Sequence, residues 1–200
     1  GLRYSFFQQT GPNKIYTTDA DGNRTDSMVF RKGQAVKTYG GLEPRVTLRY
    51  AIDEETSVKA SVTRNLQYIH LVSNSGTTLP TDLWVPSTYK VKPQLSWLYA
   101  AGLFRNFKNN TFETSLEVYY KHMQNQIEYR EGYTPNTLED TENFFTFGKG
   151  WSYGSELFIN KVKGKLTGWI GYTLSWTWRK FDALNFGEKY PAKYDRRNDL

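Results

Sequence analysis

The sequence predicts an all-β fold, an antiparallel up-and-down meander that forms an arc of a transmembrane β-barrel. Three observations carry that prediction. The first is period-2 alternation, clearest in the hairpin from Gly148 to Phe181. There Ile170, Tyr172, Leu174, Trp176 and Trp178 alternate with Gly171, Thr173, Ser175, Thr177 and Arg179, while Trp151, Tyr153, Leu157 and Ile159 alternate with Ser152, Gly154, Glu156 and Asn160. Such alternation places one set of side chains on each face of a strand, with Phe158 and Trp169 as the two exceptions. The second is length. Each arm keeps its pattern for about 12 residues, against about 5 or 6 in an ordinary strand and about 9 to 11 in a membrane-crossing one. The third is that short turns and long loops alternate along the chain, as they do in outer-membrane meanders with short turns on one side and long loops on the other. A Greek-key sandwich has no reason to sort its connections in this way.

Taken in order, residues 2–10 form a first strand, and a loop rich in turn formers follows near 11–41, long enough to hold a short hairpin. The second strand, 42–52, sets Val46, Leu48, Tyr50 and Ile52 against Arg45, Thr47 and Arg49, and Pro44 at its start is tolerated because a missing donor matters least there. After the Asp53–Thr56 turn, Val58, Ala60 and Val62 alternate with Lys59, Ser61 and Thr63. A loop near 73–94 carries three of the seven prolines. The next strand, 95–107, has blurred alternation at Leu98, Ala100 and Phe104. Lys108-Asn109-Asn110 makes the following turn, and a strand from Phe112 toward Tyr129 places Phe112, Leu116, Val118 and Tyr120 opposite Glu113, Ser115, Glu117 and Lys121. A loop near 130–145 enters the long hairpin, whose turn is Lys161–Lys165, and a loop near 182–193 leaves it. Residues 1–200 thus read as one barrel segment of about seven to eight strands, with both ends in strand-like sequence, as expected of an internal piece of a larger barrel.

Composition agrees. No apolar run is long enough for a membrane helix. The mean hydropathy of −0.68 is compatible with a barrel, because lumen residues and wet loops dilute the lipid face. Fifteen Tyr and six Trp suit interfacial belts, for which the candidates are Trp151, Tyr153, Tyr172, Trp176 and Trp178. The net charge of +6 is spread without a basic run, which argues against a nucleic-acid partner. With no cysteine, neither disulfides nor thiolate metal sites can form.

Little in the chain suggests chemistry. His70 and His122 lie in no metal-ligand pattern, and neither a metal nor a cofactor is expected; His122 marks the outer edge of a membrane strand. Glu113 and Glu117, about 13 Å apart by strand rise, are too distant for a glycosidase pair and read as lumen charges. So do Arg45, Arg49, Lys59, Lys121, Glu156 and Arg179. The loop aromatics Trp84, Tyr89 and Tyr133 are candidate ligand-binding residues that stack on a sugar or chelate, with loop packing or interfacial anchoring as the other reading. The rival folds are a soluble β-sandwich carbohydrate-binding module and a small autonomous barrel or adhesin.

The phrases FGKGWSYGSE, GWIGYTLSW and YPAKYDRRND, with LEPRVTLRYAIDEETSVKASVTRN, KPQLSWLYAAGLFRNF and ETSLEVYYKHMQNQIEYREG before them, resemble TonB-dependent outer-membrane receptors of the Bacteroidetes type. The resemblance runs over residues 42–200. It implies a Gram-negative outer-membrane location, a barrel of about 22 strands with a plug domain in its lumen, and nutrient uptake without enzymatic activity. The implied partners are outer-membrane lipid, the receptor's own plug, a periplasmic energy-coupling protein, a surface lipoprotein and a small-molecule nutrient: an iron chelate, a cobalamin, an oligosaccharide or a peptide. The plug itself is not in this stretch.

Overall fold

The computed structural model describes residues 1–18, 24–72, 82–132 and 141–200. Seven long strands make one antiparallel sheet: β1 (Leu2–Thr10), β4 (Ala35–Ala51), β5 (Thr56–Gln67), β8 (Gln94–Phe107), β9 (Phe112–Tyr129), β10 (Phe145–Lys161) and β11 (Gly168–Phe181). Two short pieces, β12 (Tyr190–Pro191) and β13 (Asn198–Asp199), both pair with β11 and together occupy the place of an eighth strand. Two small hairpins stand apart from this sheet: β2 (Asn13–Thr18) with β3 (Arg24–Phe30), and β6 (Ile69–Val72) with β7 (Leu83–Pro86). The loop expected at 11–41 is therefore mostly strand. The β2–β3 hairpin fills its first part, and β4 begins at Ala35 because Tyr39, Gly40 and Gly41 continue the ladder to β1.

All three short turns lie at one end of the sheet. Asp53 accepts the Glu55 amide (2.8 Å), and Ile52 N–H donates to the Thr56 carbonyl (2.9 Å), closing the first. In the second, Lys108, Asn109 and Asn110 take positive φ angles of 50°, 52° and 58°, a conformation that Asn tolerates better than most residues. The third joins β10 to β11. The long connections gather at the other end.

Register carries the apolar positions into continuous rows across the sheet. One row is Tyr99, Tyr120, Tyr153 and Trp176; the next, toward the long loops, is Trp97, His122, Trp151 and Trp178. Toward the short turns follow Ala101, Val118, Ser155 and Leu174, then Leu103, Leu116, Leu157 and Tyr172. The aromatic rows are knitted together by stacking of His122 on Trp151 (6.0 Å) and Tyr153 on Trp176 (5.5 Å), and by a Trp178 Nε1–H bond to the Tyr153 hydroxyl (3.3 Å). From Trp97 to Phe107 the face runs roughly ten residues, or about 33 Å at ~3.3 Å per residue, which at a tilt of about 40° is a band about 25 Å tall. That is the height of the lipid-facing band of an outer-membrane barrel.

This face is uncovered. Leu48 and Tyr50 are 69% and 72% exposed, and Val46, Leu116, Val118 and Ile170 are also exposed. Among the described residues no second sheet packs on it, as a sandwich would require. The opposite face carries Arg45, Arg49, Lys59, Glu113, Glu117, Lys121, Glu156 and Arg179, each at the register position that alternation assigns it. There Glu117 lies directly across from Glu156, and Arg49 across from Lys59.

Three of the phrases that carry the resemblance meet at β10, β11 and the 190–199 segment. Gly150 pairs with Arg179, and a Cβ on Gly150 would collide with the guanidinium. Arg179 is buried, bonding the Tyr194 hydroxyl and contacting Met123 Sδ (3.6 Å). Asp195 accepts the Thr177 amide (2.6 Å) and pairs with Arg197 (3.3 Å), while Ser175 donates to the Arg196 carbonyl (2.9 Å). These bonds hold the chain after β12 along the edge of β11.

Candidate ligand site at the long-loop end

A bulge in β9 prepares the site. Asn125 adopts φ 53°, its Nδ2 donates to the Pro93 carbonyl (2.8 Å), and the pairing with β10 shifts between Gly148 and Gly150. The extra residue reverses which face the following side chains join. Ile127 then packs in a core with Phe145 and with Val72, Val85 and Val91 from the β6–β7 hairpin and its exit. Without the bulge, alternation would leave Ile127 on the charged face beside Lys121 and Met123. His70 is also buried in this hairpin, its Nε2 3.1 Å from the Ser87 hydroxyl and its Nδ1 without a partner among the described residues. Burial holds its pKa below the ordinary 6.5, so the ring is neutral near pH 7.

On this base, the two small hairpins border an open cavity of about 430 Å³. The β2 side contributes Asn13, Lys14, Ile15 and Tyr16; the β7 side contributes Leu83, Trp84, Val85 and Pro86, followed by Thr88, Tyr89 and Lys90; Glu142 and Phe145 complete the lining. Phe145 and Val85 form its apolar floor, being members of the buried core. The segment after β7 is pinned at several points. Ser87 N–H donates to the Tyr68 carbonyl (2.7 Å), Tyr89 N–H to Gln9 Oε1 (3.0 Å), and the Tyr39 hydroxyl to the Thr88 carbonyl (2.8 Å). Lys37 lies over the rings of both Tyr39 (5.8 Å) and Tyr89 (5.6 Å), and Lys14 over Tyr16 (4.9 Å).

The volume falls within the usual 300–1,000 Å³ of small-molecule sites, and the lining combines aromatic faces with a few polar groups. Trp84 is 65% and Tyr89 46% exposed, so both keep ring surface open to a ligand. Lys14 and Lys90 against Glu142 leave the described lining positive, and Lys90 is steered by a bond to Asn143 Oδ1 (2.9 Å). Chemically, such a lining can stack a planar or sugar-ring surface and accept oxygen-rich or anionic groups. Among the described residues, no three His, Cys, Asp or Glu side chains converge as a metal site would need.

Trp84 and Tyr89, singled out from the sequence, are thus brought to one cavity, with Trp84 on strand β7 rather than in a loop. Tyr133 lies outside the described residues. Trp151, Tyr153, Tyr172, Trp176 and Trp178 share the apolar face described above. Sequence reasoning missed Tyr16, Lys14, Lys90 and Glu142, which come from three segments far apart in the chain. The one local signal was Asn13–Tyr16 followed by a second β-prone run ending at Phe30, a hairpin pattern in the first long loop.

Fold and register together define an arc of a membrane β-barrel. The chain belongs to the TonB-dependent receptors: the family model for a TonB dependent receptor-like beta-barrel matches residues 1–199. No curated protein matches significantly, and neither does any solved structure. Members of this family are outer-membrane barrels that act as transport receptors with a plug domain and the partner protein TonB, and are not an enzyme family.

Proposed function

We propose that this chain is part of the barrel wall of a TonB-dependent transporter of the Bacteroidetes type in the outer membrane of a Gram-negative cell. In this reading the cavity between the β2–β3 and β6–β7 hairpins first captures the nutrient, an iron chelate, a cobalamin, an oligosaccharide or a peptide, on the extracellular side. The five aromatics from Trp151 to Trp178 face lipid, the opposite face looks on the plug, and energy reaches the full receptor from its periplasmic coupling protein. A surface lipoprotein above the long loops completes the proposed assembly.

The observation that carries this reading is the convergence of Trp84, Tyr89 and Tyr16 on one cavity at the end of the sheet where the long connections gather. Tyr133 is proposed as a further contact from the loop that enters β10. The test is ligand binding and uptake by the full-length receptor against a panel of the four nutrient classes. For the class that binds, Trp84→Ala and Tyr89→Ala are each expected to weaken binding about tenfold, on the scale of ~1–2 kcal/mol for an aromatic anchor. Unchanged affinity in the double variant, with the barrel folded, would remove the cavity from the uptake route.

A further inference from the structure

The outer apolar face ends, toward the long loops, in a patch of positive charge that nutrient capture does not use. Lys149 and Lys180 are Cα partners across β10 and β11. By alternation both stand on the same face as Trp151 and Trp178, one step beyond that pair. Lys189, from the connection after β11, places Nζ 4.7 Å from the centre of the Trp178 ring and 5.4 Å from that of Trp151. All three lysines are exposed, and none takes part in an ion pair among the described residues.

Like charges directly opposite each other on a ladder are destabilising, and a third cation adds to the repulsion. A counter-anion from outside the chain removes that cost. Its nature follows from where the lysines sit. An aromatic belt lies at the level of the lipid headgroups, and below this one Tyr153, Trp176 and Leu157 offer apolar surface to acyl chains. A free phosphate would gain nothing from that surface, whereas a lipid engages both halves at once. We infer that Lys149, Lys180 and Lys189 form a binding site for the phosphate-bearing headgroup of an anionic outer-leaflet lipid, with Trp151 and Trp178 as its floor. The inference rests on the reading of the aromatic face as lipid-facing.

The test uses the full-length receptor in phosphatidylcholine nanodiscs doped with bisphosphorylated lipid A or with its dephosphorylated form. Native mass spectrometry reads the ratio of the two lipids retained. Wild type is expected to favour the phosphorylated lipid, and each Lys→Gln substitution to lower that preference about fivefold, the weight of one basic residue near an anionic surface. Lys149→Arg should keep it, which separates lost charge from lost fold. Equal retention of both lipids by wild type, or an unchanged preference in the triple Lys→Gln variant, would remove the site while leaving the barrel in lipid. Displacement of lipid A by inorganic phosphate would overturn the headgroup assignment in favour of a free-anion site. Retention of neither lipid would overturn the lipid-facing reading itself.

Discussion

His70 couples the loop architecture to pH. Its ring is neutral and buried in the folded β6–β7 hairpin, whereas in the opened hairpin it takes up a proton near 6.5. Below 6.5 the open form binds more protons, so the hairpin's stability is full above that pH and declines as acid is added. Hydrogen exchange at Leu71 and Val72 in the full receptor should show protection falling as the pH drops below 6.5, and a His70→Gln variant should lose the dependence. Identical profiles for the two proteins would acquit the histidine. At this scale the site was half legible. Trp84 and Tyr89 stood out because large aromatics amid turn formers have no strand face to explain them. Lys14, Tyr16, Lys90 and Glu142 did not, because nothing local says that the first and second long loops touch. The Asn125 bulge was equally hidden, since one residue at positive φ leaves the apolar pattern of β9 almost unchanged.

The two faces of each strand make opposite demands on a new charge. Leu116 sits mid-band between Leu103 and Leu157 and is half exposed on the apolar face. An arginine there should cost about 2–4 kcal/mol, the penalty for a cation at the bilayer midplane. Thr173→Arg, on the charged face and opposite Glu156, should fall within about 0.5 kcal/mol of wild type. Urea titration of the full receptor in lipid vesicles compares the two, and equal costs would deny that the faces see different surroundings. The elements themselves were legible wherever one face is apolar: β5, β9, β10 and β11 lie close to their expected places. The reading failed where that contrast disappears. The outer part of β4, Ala35–Gly41, holds polar residues and glycines beyond the apolar band, and β7 hides among prolines. In both, hydrogen bonding to a neighbour, invisible in one strand's composition, decides the structure.

For the molecule as a whole, the segregation of short turns from long connections assigns a direction across the membrane. These 200 residues hold no cysteine, so an introduced thiol is the one target within them. With a membrane-impermeant maleimide on intact cells, Lys32→Cys, in the turn between β3 and β4, should react, and Lys165→Cys, in the turn between β10 and β11, only after lysis. The reverse pattern would invert the orientation. The aligned rows of rings also bear on how the sheet finds its pairing. Alternation alone forbids a slip of one residue, which would turn an apolar face inward. It is blind to a slip of two, which keeps every face correct and merely steps one strand past its neighbour by about 6.6 Å. The rows are not blind to it: a two-residue slip of β10 against β11 would set Tyr153 beside Leu174 or Trp178 instead of Trp176 and tear both rows at that seam. The rings therefore act as a ruler, marking the height of each strand against the next.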